Sequence, residues 1–443
     1  MNRIKRVGIV LLSAAIIFGL LFSGWGCAKE EVVPPEKPQV EKPPVEKPPT
    51  IPPTIKVGML AARTGSHAYY GFSLRGIKFV LDEINAAGGI KSMGGAKIEM
   101  VYGDTESNLE KVRGEFERLA TLEKVDFMFF PSTSSESMAG MPIYDVLKVP
   151  VMATAASSKS VFEVGSYYYR SLSILSDDIA KRMVDTLTSL IEEYGIKHDR
   201  ISVVTSDWTN TLEYREVVLK LLKKAGLDKN IVLDVKIPAK PTEAMMSSIV
   251  LKVKNSKPDV VLLIPNAPTG PLWFRAAYEV KFYPPLYIDA LTWIHTEKAW
   301  DALGEEMAMD LIGKRPDIGY SLFYEEAPYK PWQDFRPKYE AFAKEEGFKP
   351  ILVDYLGVQA ALILKHIWEE TGSKDREVVN EALHQVKLPF GSPDMVFPAW
   401  SPYLEFSPGG APLHGTPPAL QWQGHNLKCV YPKELRNAEP MLS

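Results

Sequence analysis

Residues 55–90 read IKVGMLAARTGSHAYYGFSLRGIKFVLDEINAAGGI, and this stretch decides the fold. Ile55–Leu60 is a short apolar run typical of a buried strand. After a loop of small and polar residues, apolar side chains recur at steps of three and four, the spacing of a one-faced helix, at Leu74, Ile77, Leu81 and Ile84. Gly88 and Gly89 follow where such a helix is expected to stop. In an open α/β sheet, a strand, loop and helix in this order form one wall of a ligand crevice.

The same alternation of strand and helix patterns continues to about Asp289, in two rounds of similar length. The first round predicts strands at Ile55–Leu60, Lys97–Tyr102, Asp126–Phe130 and Val149–Thr154. The second round predicts strands at Ile201–Thr205, Ile231–Ile237, Val260–Ile264 and Leu286–Asp289. Short, apolar strands that alternate with helices indicate parallel sheets covered on both faces. The sequence therefore predicts an α/β protein with two lobes.

Helical spacing marks the segments between these strands and most of the last third of the chain. Helices are predicted around Leu109–Leu119 and over Ser135–Leu147, Asp177–Tyr194, Thr211–Ala225, Thr242–Asn255, Gly270–Val280, Gln333–Glu346, Asp354–Thr371 and Asp375–Val386. Ala419–Gln423 and Leu427–Tyr431 predict a closing β-hairpin.

The N-terminus has the features of a secretory signal: basic residues, the apolar run Val7–Phe22, and small residues leading to Cys27. We expect residues 1–26 to be a signal peptide and Cys27 to be lipidated, as in bacterial lipoproteins. The apolar run also fits an uncleaved signal anchor, because its length approaches that of a bilayer span. Residues 27–54 then form a Pro-rich linker with a repeated EKP motif, which predicts an extended chain. Both interpretations place the folded protein outside the cytoplasm, in the periplasm or at the cell surface.

Composition and motifs indicate a binding protein. The net charge of −4 argues against a nucleic-acid partner. GxSxG, HExxH and phosphate-loop motifs are absent from the sequence, and its seven histidines are scattered without metal-site spacing. Besides Cys27 the chain has only Cys429, so a lipidated Cys27 leaves no internal disulfide. We therefore expect no enzymatic activity, cofactor or metal.

The order of the Thr64-Gly65 turn, the Tyr70-Gly71 step and the DEINAAGGI ending resembles the extracytoplasmic solute-binding proteins of the branched-chain amino acid ABC transporter family. The ending QWQGHNLKCVYP is similar to the closing hairpin of that family. The resemblance implies the type I periplasmic-binding fold, in which two Rossmann-like lobes with parallel sheets are joined by three crossing segments and the ligand cleft lies between them. The implied crossings lie near Leu172–Ser176, Leu291–Thr296 and Pro398–Tyr403. Lobe 1 would comprise residues 55–173 and 295–399, and lobe 2 residues 174–294 and 400–435.

For the first lobe, the resemblance implies ligand contacts in the loops that follow the third and fourth strands. Ser134 matches the serine that binds the ligand's carboxylate, with Thr133 and Ser135 as one-residue alternatives. Ala155 and Ser157 match a backbone group and a hydroxyl on the ligand, and spacing does not separate Ser157 from Ser158.

The first loop adds further candidates. Tyr70 matches the Tyr-Gly step of the family, and its ring would pack on the ligand. Arg63 would recognise a carboxylate if its guanidinium lies in the cleft, and it is a surface arginine if it points outward. His67 is expected to be a solvated loop residue.

The second lobe supplies Trp208, Asn266 and Asp289 at the ends of its strands. The resemblance implies that Trp208 closes over the ligand and that Asp289 accepts an ammonium group. Asn266 stands where the family often has an aromatic residue, and Trp293 follows Asp289 as another aromatic candidate.

These features predict the monomeric substrate-binding component of an ABC importer. It would capture an amino acid or other small carboxylate between its lobes and deliver it to a membrane permease. The alternative is a sensing module of the same fold coupled to a signalling receptor.

Overall fold

The computed structural model describes residues 52–65, 67–265, 269–290, 297–320 and 327–442. The predictions for Cys27, Asn266, Trp293 and the crossing at Leu291–Thr296 fall outside these residues. Within them, the protein is built from two separate large sheets, with helices packed against both.

The first sheet contains β1 (Ile55–Ala61), β2 (Ile98–Asp104), β3 (Phe127–Phe129), β4 (Val151–Ala153) and β5 (Tyr169–Ser171). The strand order is β2-β1-β3-β4-β5, and all neighbouring strands are parallel. The four strands predicted in the first round are thus confirmed, while β5 was not predicted.

The second sheet contains β6 (Ile201–Ser206), β7 (Ile231–Ile237), β8 (Val260–Ile264), β9 (Leu286–Asp289), β10 (Asp317–Tyr320), β13 (Ala419–Gln423) and β14 (Asn426–Tyr431). Its order is β14-β13-β10-β9-β8-β6-β7. Strands β6 to β10 are parallel, whereas β13 and β14 are antiparallel, so this sheet is mixed. The closing hairpin is confirmed. A separate antiparallel pair consists of β11 (Leu388–Pro389) and β12 (Tyr403–Leu404).

The helices cover the faces of the two sheets, as the alternating pattern predicts. They are α1 (Ala68–Gly71), α2 (Ser73–Ala86), α3 (Leu109–Glu117), α4 (Ser134–Leu147), α5 (Lys159–Val164), α6 (Ser176–Tyr194), α7 (Thr209–Lys224), α8 (Glu243–Asn255), α9 (Thr269–Glu279), α10 (Glu297–Leu303), α11 (Glu305–Ala308), α12 (Lys330–Glu345), α13 (Leu352–Thr371) and α14 (Arg376–Gln385). None of the helices in the described ranges is long and apolar enough to cross a membrane.

The chain leaves the second sheet later than the sequence analysis expects. Strand β10 lies within 295–399, the range assigned to lobe 1, yet it pairs with β9 and β13 of the second sheet. At the other end of that range, the Ser171 backbone N–H donates to the Gly410 carbonyl at 3.0 Å, so the chain still lies beside β5 beyond Tyr403. Strand pairing thus places β10 in the second sheet, and the lobe boundaries at 294/295 and 399/400 stay predictions. Strand β10, with the sequence DIGY, is too short to be recognised from its sequence and is identified by its pairing.

Helices α2 and α13 hold the first lobe together through two glycines. A Cβ atom on Gly76 would lie 1.9 Å from the Asp354 carbonyl oxygen, and one on Gly357 would lie 1.9 Å from the Ser73 carbonyl oxygen. Only residues without a side chain permit such a close approach. Arg75 on α2 also donates two hydrogen bonds of 2.8 and 2.9 Å to the buried Asp354 carboxylate. This contact fixes the helix that follows the first loop.

Candidate functional site

Both sheets change the direction of their strand order at one position. In the first sheet β1 lies between β2 and β3, and in the second sheet β6 lies between β7 and β8. Ligands of open α/β sheets bind beyond the carboxyl ends of the strands at such switch points. The loops after β1 and β3, and after β6 and β8, are therefore the candidate walls of a ligand site. The sequence candidates Arg63, Tyr70, Ser134 and Trp208 belong to these loops or to the first turns after them.

The two serine loops of the first lobe meet at Ser134. Its Oγ accepts hydrogen bonds from the backbone N–H groups of Ser157 and Ser158, both at 3.2 Å. Ser134 is the first residue of α4, which Thr133 caps by accepting from the Glu136 N–H while Glu136 caps the Thr133 N–H in return. The predicted neighbours Ser134 and Ser157 are thus brought together, half-buried, at the edge of the sheet.

Tyr70 is half-buried in the short helix α1, which follows the first loop. Its ring packs edge-on against Tyr69, with 5.4 Å between the ring centroids. Burial raises the pKa of the Tyr70 phenol, and the nearby Glu136 carboxylate raises it further. Tyr70 is therefore a neutral hydrogen-bonding group with an aromatic face at physiological pH.

Three other first-lobe candidates differ in exposure. Arg63 is exposed, and its backbone N–H donates to Asp104 Oδ1 at 3.0 Å. Ser135 is also exposed, with its hydroxyl 3.0 Å from that of Thr133. Ala155 is half-buried in the loop after β4. The exposure of Arg63 agrees with the surface interpretation of that residue.

The second-lobe candidates lie at the carboxyl edge of the second sheet. Trp208 precedes α7, is 44% exposed, and donates from Nε1 to the Ala239 carbonyl at 3.3 Å. Asp289 ends β9 and is 2% exposed. Asp289 raises the pKa of the neighbouring buried Asp317, for which burial is the larger cause.

Tyr214 is a residue of this region that the sequence reasoning missed. It lies on α7 of the second lobe and is buried. Burial raises its pKa to about 12, and hydrogen bonding with Ser176 and Ser157 opposes that rise. The Ser176 hydroxyl also donates to the Ser157 carbonyl at 3.3 Å. Tyr214 thus connects the second lobe to the serine loop of the first, although its helical spacing alone indicates only a core residue.

Over the part of the chain that the structure describes, no group of three or more His, Cys, Asp or Glu side chains could hold a metal ion. The groups that these contacts bring together are the Ser134 hydroxyl, the backbone N–H groups of Ser157 and Ser158, and the Tyr214 phenol. Such neutral donors suit the binding of a small polar molecule in a cleft.

The two sheets and the helices that cover them define a two-lobed α/β protein. A sequence model for the family described as periplasmic binding protein matches residues 54–400. The chain therefore belongs to the periplasmic binding protein family, which confirms the resemblance seen in its sequence.

Individual relatives agree with this assignment. Leu/Ile/Val-binding protein homolog 7 of Brucella abortus (strain 2308) is 27% identical over 390 residues, which span 85% of this chain and 91% of the relative. The substrate-binding protein of an ABC transporter from Desulfitobacterium hafniense, solved in complex with Leu, superposes with a TM-score of 0.65 at 17% identity, covering 85% of this chain and 99% of that one. A solute-binding protein of an ABC transporter from Rhodopseudomonas palustris BisB5, in complex with 3,4-dihydroxy benzoic acid, gives a TM-score of 0.60 at 18% identity, covering 86% and 94%. These structures share the fold of this chain.

Proposed function

We propose that this protein is the substrate-binding component of an ABC importer that captures an amino acid or other small carboxylate between its lobes. The junction of Ser134 with the Ser157–Ser158 backbone carries the proposal. At this junction the Ser134 oxygen accepts from both N–H groups, so the Ser134 hydroxyl can donate its own proton to a carboxylate at the switch point of the first sheet. Membership in the periplasmic binding protein family supports it.

The ligand class follows from the same donors. The solved relatives named above hold leucine and 3,4-dihydroxy benzoic acid, two molecules that have a carboxylate in common. We propose that Ser134, Ala155 and Ser157 bind the ligand's carboxylate in this chain, with Ser135 as an alternative to Ser134. Tyr70 and Trp208 would contact its body, Asn266 and Asp289 would line the second wall, and Arg63 would lie at the rim.

The partners proposed for this chain are a membrane permease, to which the ligand-bound form delivers its cargo, and a membrane that holds the monomer through a lipid on Cys27. The lobes would move about the three crossings, so that contacts from both lobes to the ligand drive closure. Because β10 pairs with β9 and β13, it would move with the second lobe in this scheme.

Isothermal titration of the purified mature chain with a panel of amino acids and aromatic acids tests the proposal. Ser134→Ala and Ser157→Ala are expected to weaken binding of the best ligand about tenfold, because each removes a polar contact in a cleft. Ser189→Ala is the matched control, since the Ser189 hydroxyl bonds to Glu193 on the exposed side of α6. Unchanged affinity in both cleft variants would remove these serines from the site, and a wild-type chain that binds no member of the panel would contradict the proposal.

A further inference from the structure

His67 and Glu136 form a side-chain pair beside the candidate site, and the proposed carboxylate contacts do not use it. His67 Nδ1 lies 3.3 Å from Glu136 Oε2. The Glu136 side chain is 1% exposed and accepts hydrogen bonds from Thr105 Oγ1 at 3.1 Å, from the Thr133 N–H at 3.0 Å and from Thr133 Oγ1 at 2.9 Å. This carboxylate is fixed, because four groups from three loops surround it.

Among the residues that the structure describes, His67 is the only basic side chain within 4.0 Å of the Glu136 carboxylate. Hydroxyl and N–H donors lower the cost of burying a carboxylate, but a buried negative charge is most stable beside a positive one. The pair therefore favours a cation at this position.

The orientation of His67 shows where that cation would bind. Its Nδ1 atom is buried 3.3 Å from Glu136 Oε2 without a hydrogen bond to it, and its backbone N–H donates to Ser107 Oγ at 3.0 Å. The tautomer with its proton on Nδ1 turns that proton toward the carboxylate and leaves Nε2, across the ring, as a hydrogen-bond acceptor. The His67 side chain keeps 24% of its surface exposed, so the ring is reachable from outside.

The pair adjoins the proposed ligand contacts. Glu136 lies in the same first turn of α4 as Ser134, and its charge raises the pKa of the Tyr70 phenol after the larger effect of burial. The rings of Tyr70 and Tyr69 lie on the same loop as His67, and aromatic faces also attract cations. The first wall thus offers carboxylate donors at Ser134 and a cation acceptor at His67.

We propose that His67 Nε2 accepts a hydrogen bond from the ammonium group of an amino-acid ligand, with Glu136 as the positioning residue behind it. This inference rests on the proposed function and narrows it to ligands that carry an amine. It also assigns the amine to the first lobe, whereas the family resemblance assigns it to Asp289.

Pairs of ligands that differ only in the ammonium group test the inference: leucine with 4-methylpentanoate, phenylalanine with 3-phenylpropanoate, and glutamate with glutarate. For the best-bound pair, we expect the wild-type chain to prefer the amino acid by about tenfold or more, since a hydrogen bond to a charged group is lost in the analogue. His67→Ala is expected to abolish this preference by weakening only the amino acid. Glu136→Gln, which keeps a capping side chain on α4, is expected to reduce the preference in the same direction.

The outcomes separate the inference from the proposed function. A His67→Ala chain that retains the wild-type preference overturns the inference, as does a wild-type chain that binds acids and amino acids equally. A wild-type chain that binds none of the six compounds overturns both. Melting temperatures of the variants show whether they are folded, and Glu136→Gln decides the question if His67→Ala does not fold.

Discussion

Two buried carboxyl groups show how differently the two lobes treat polar side chains. Glu136 of the first lobe accepts three hydrogen bonds and faces His67. Asp317 of the second lobe is 1% exposed, and neither of its oxygens has a hydrogen-bond partner. A carboxylate is stable inside a protein when donors surround it, whereas an unpartnered carboxyl becomes neutral because its charged form loses hydration. The comparison teaches that hydrogen-bond donors surround the carboxyl group of Glu136 and that the carboxyl group of Asp317 is buried without them.

The first wall rests on the close contact between α2 and α13 at two glycines. Breaking this contact should have the largest effect on the stability of the protein. Gly76→Ala places a methyl group 1.9 Å from the Asp354 carbonyl oxygen, so one of the two helices must move. We expect the free energy of unfolding to fall by about 3 kcal/mol or more. Urea denaturation of the two proteins measures the difference.

Gly114→Ala is the matched control for this prediction. Gly114 lies in α3 with nothing within 4 Å of an added Cβ. Alanine is therefore expected to stabilise the protein by up to about 1 kcal/mol, through its higher helix propensity. Equal stability of Gly76→Ala and the wild-type chain would contradict the close packing of α2 on α13.

Substitution by isosteric amides tests the contrast between the two carboxyl groups directly. Glu136→Gln replaces one carboxylate oxygen, which accepts hydrogen bonds, with an NH2 group, which donates them. One of the present donors therefore loses its partner. We expect a loss of about 1–3 kcal/mol of stability at pH 7. Asp317→Asn is expected to change the stability in the opposite direction.

The gain from Asp317→Asn should depend on pH. Burial, and then the charge of Asp289, raise the pKa of Asp317 well above its usual value. The folded protein therefore keeps a proton that the unfolded chain releases above about pH 4, and folding of the wild-type chain weakens as pH rises. We expect no difference between the two proteins near pH 4 and a difference that grows by up to about 1.4 kcal/mol per pH unit above it. Melting temperatures at pH 4 and pH 7 measure it, and a gain independent of pH would show that Asp317 is not protonated in the folded state.

The same contrast explains what the sequence reveals and what it leaves open. The Thr133-Ser134-Ser135-Glu136 cap is a local pattern, so the loop after β3 and its polar character are predictable from adjacent residues. The environment of Asp317 depends on the pairing of β10 with β9, whose residues lie far apart in the chain. No local pattern predicts such a contact.

The candidate site likewise contains some contacts that the sequence predicts and others that it does not. Ser134 and Ser157 follow neighbouring strands, so their proximity is expected from the parallel sheet and is found. Tyr214 approaches Ser157 from the other lobe, and its position depends on how α7 packs across the cleft. His67 is paired with Glu136 because the loops after β1 and β3 converge, which the spacing of either loop does not show.

Asp178 is intermediate between Glu136 and Asp317, and its substitution is expected to change the stability least. It lies in the first turn of α6, next to the backbone of Gly415. Burial raises the pKa of Asp178 to about 6, with a further contribution from Asp177, while Lys181, His414 and Arg182 oppose the rise. The folded state thus holds a proton between about pH 4 and about pH 6 that the unfolded chain has released, and wild-type stability declines over that window. Because cations face Asp178 and its side chain is partly exposed, we expect Asp178→Asn to gain only about 1–2 kcal/mol, and to gain nothing further above pH 6. Denaturation curves at pH 4, 5, 6 and 7 measure this plateau. If the stability gained by Asp178→Asn continued to grow between pH 6 and 7, as predicted for Asp317→Asn, Asp178 would lack the cationic surroundings that distinguish it from Asp317.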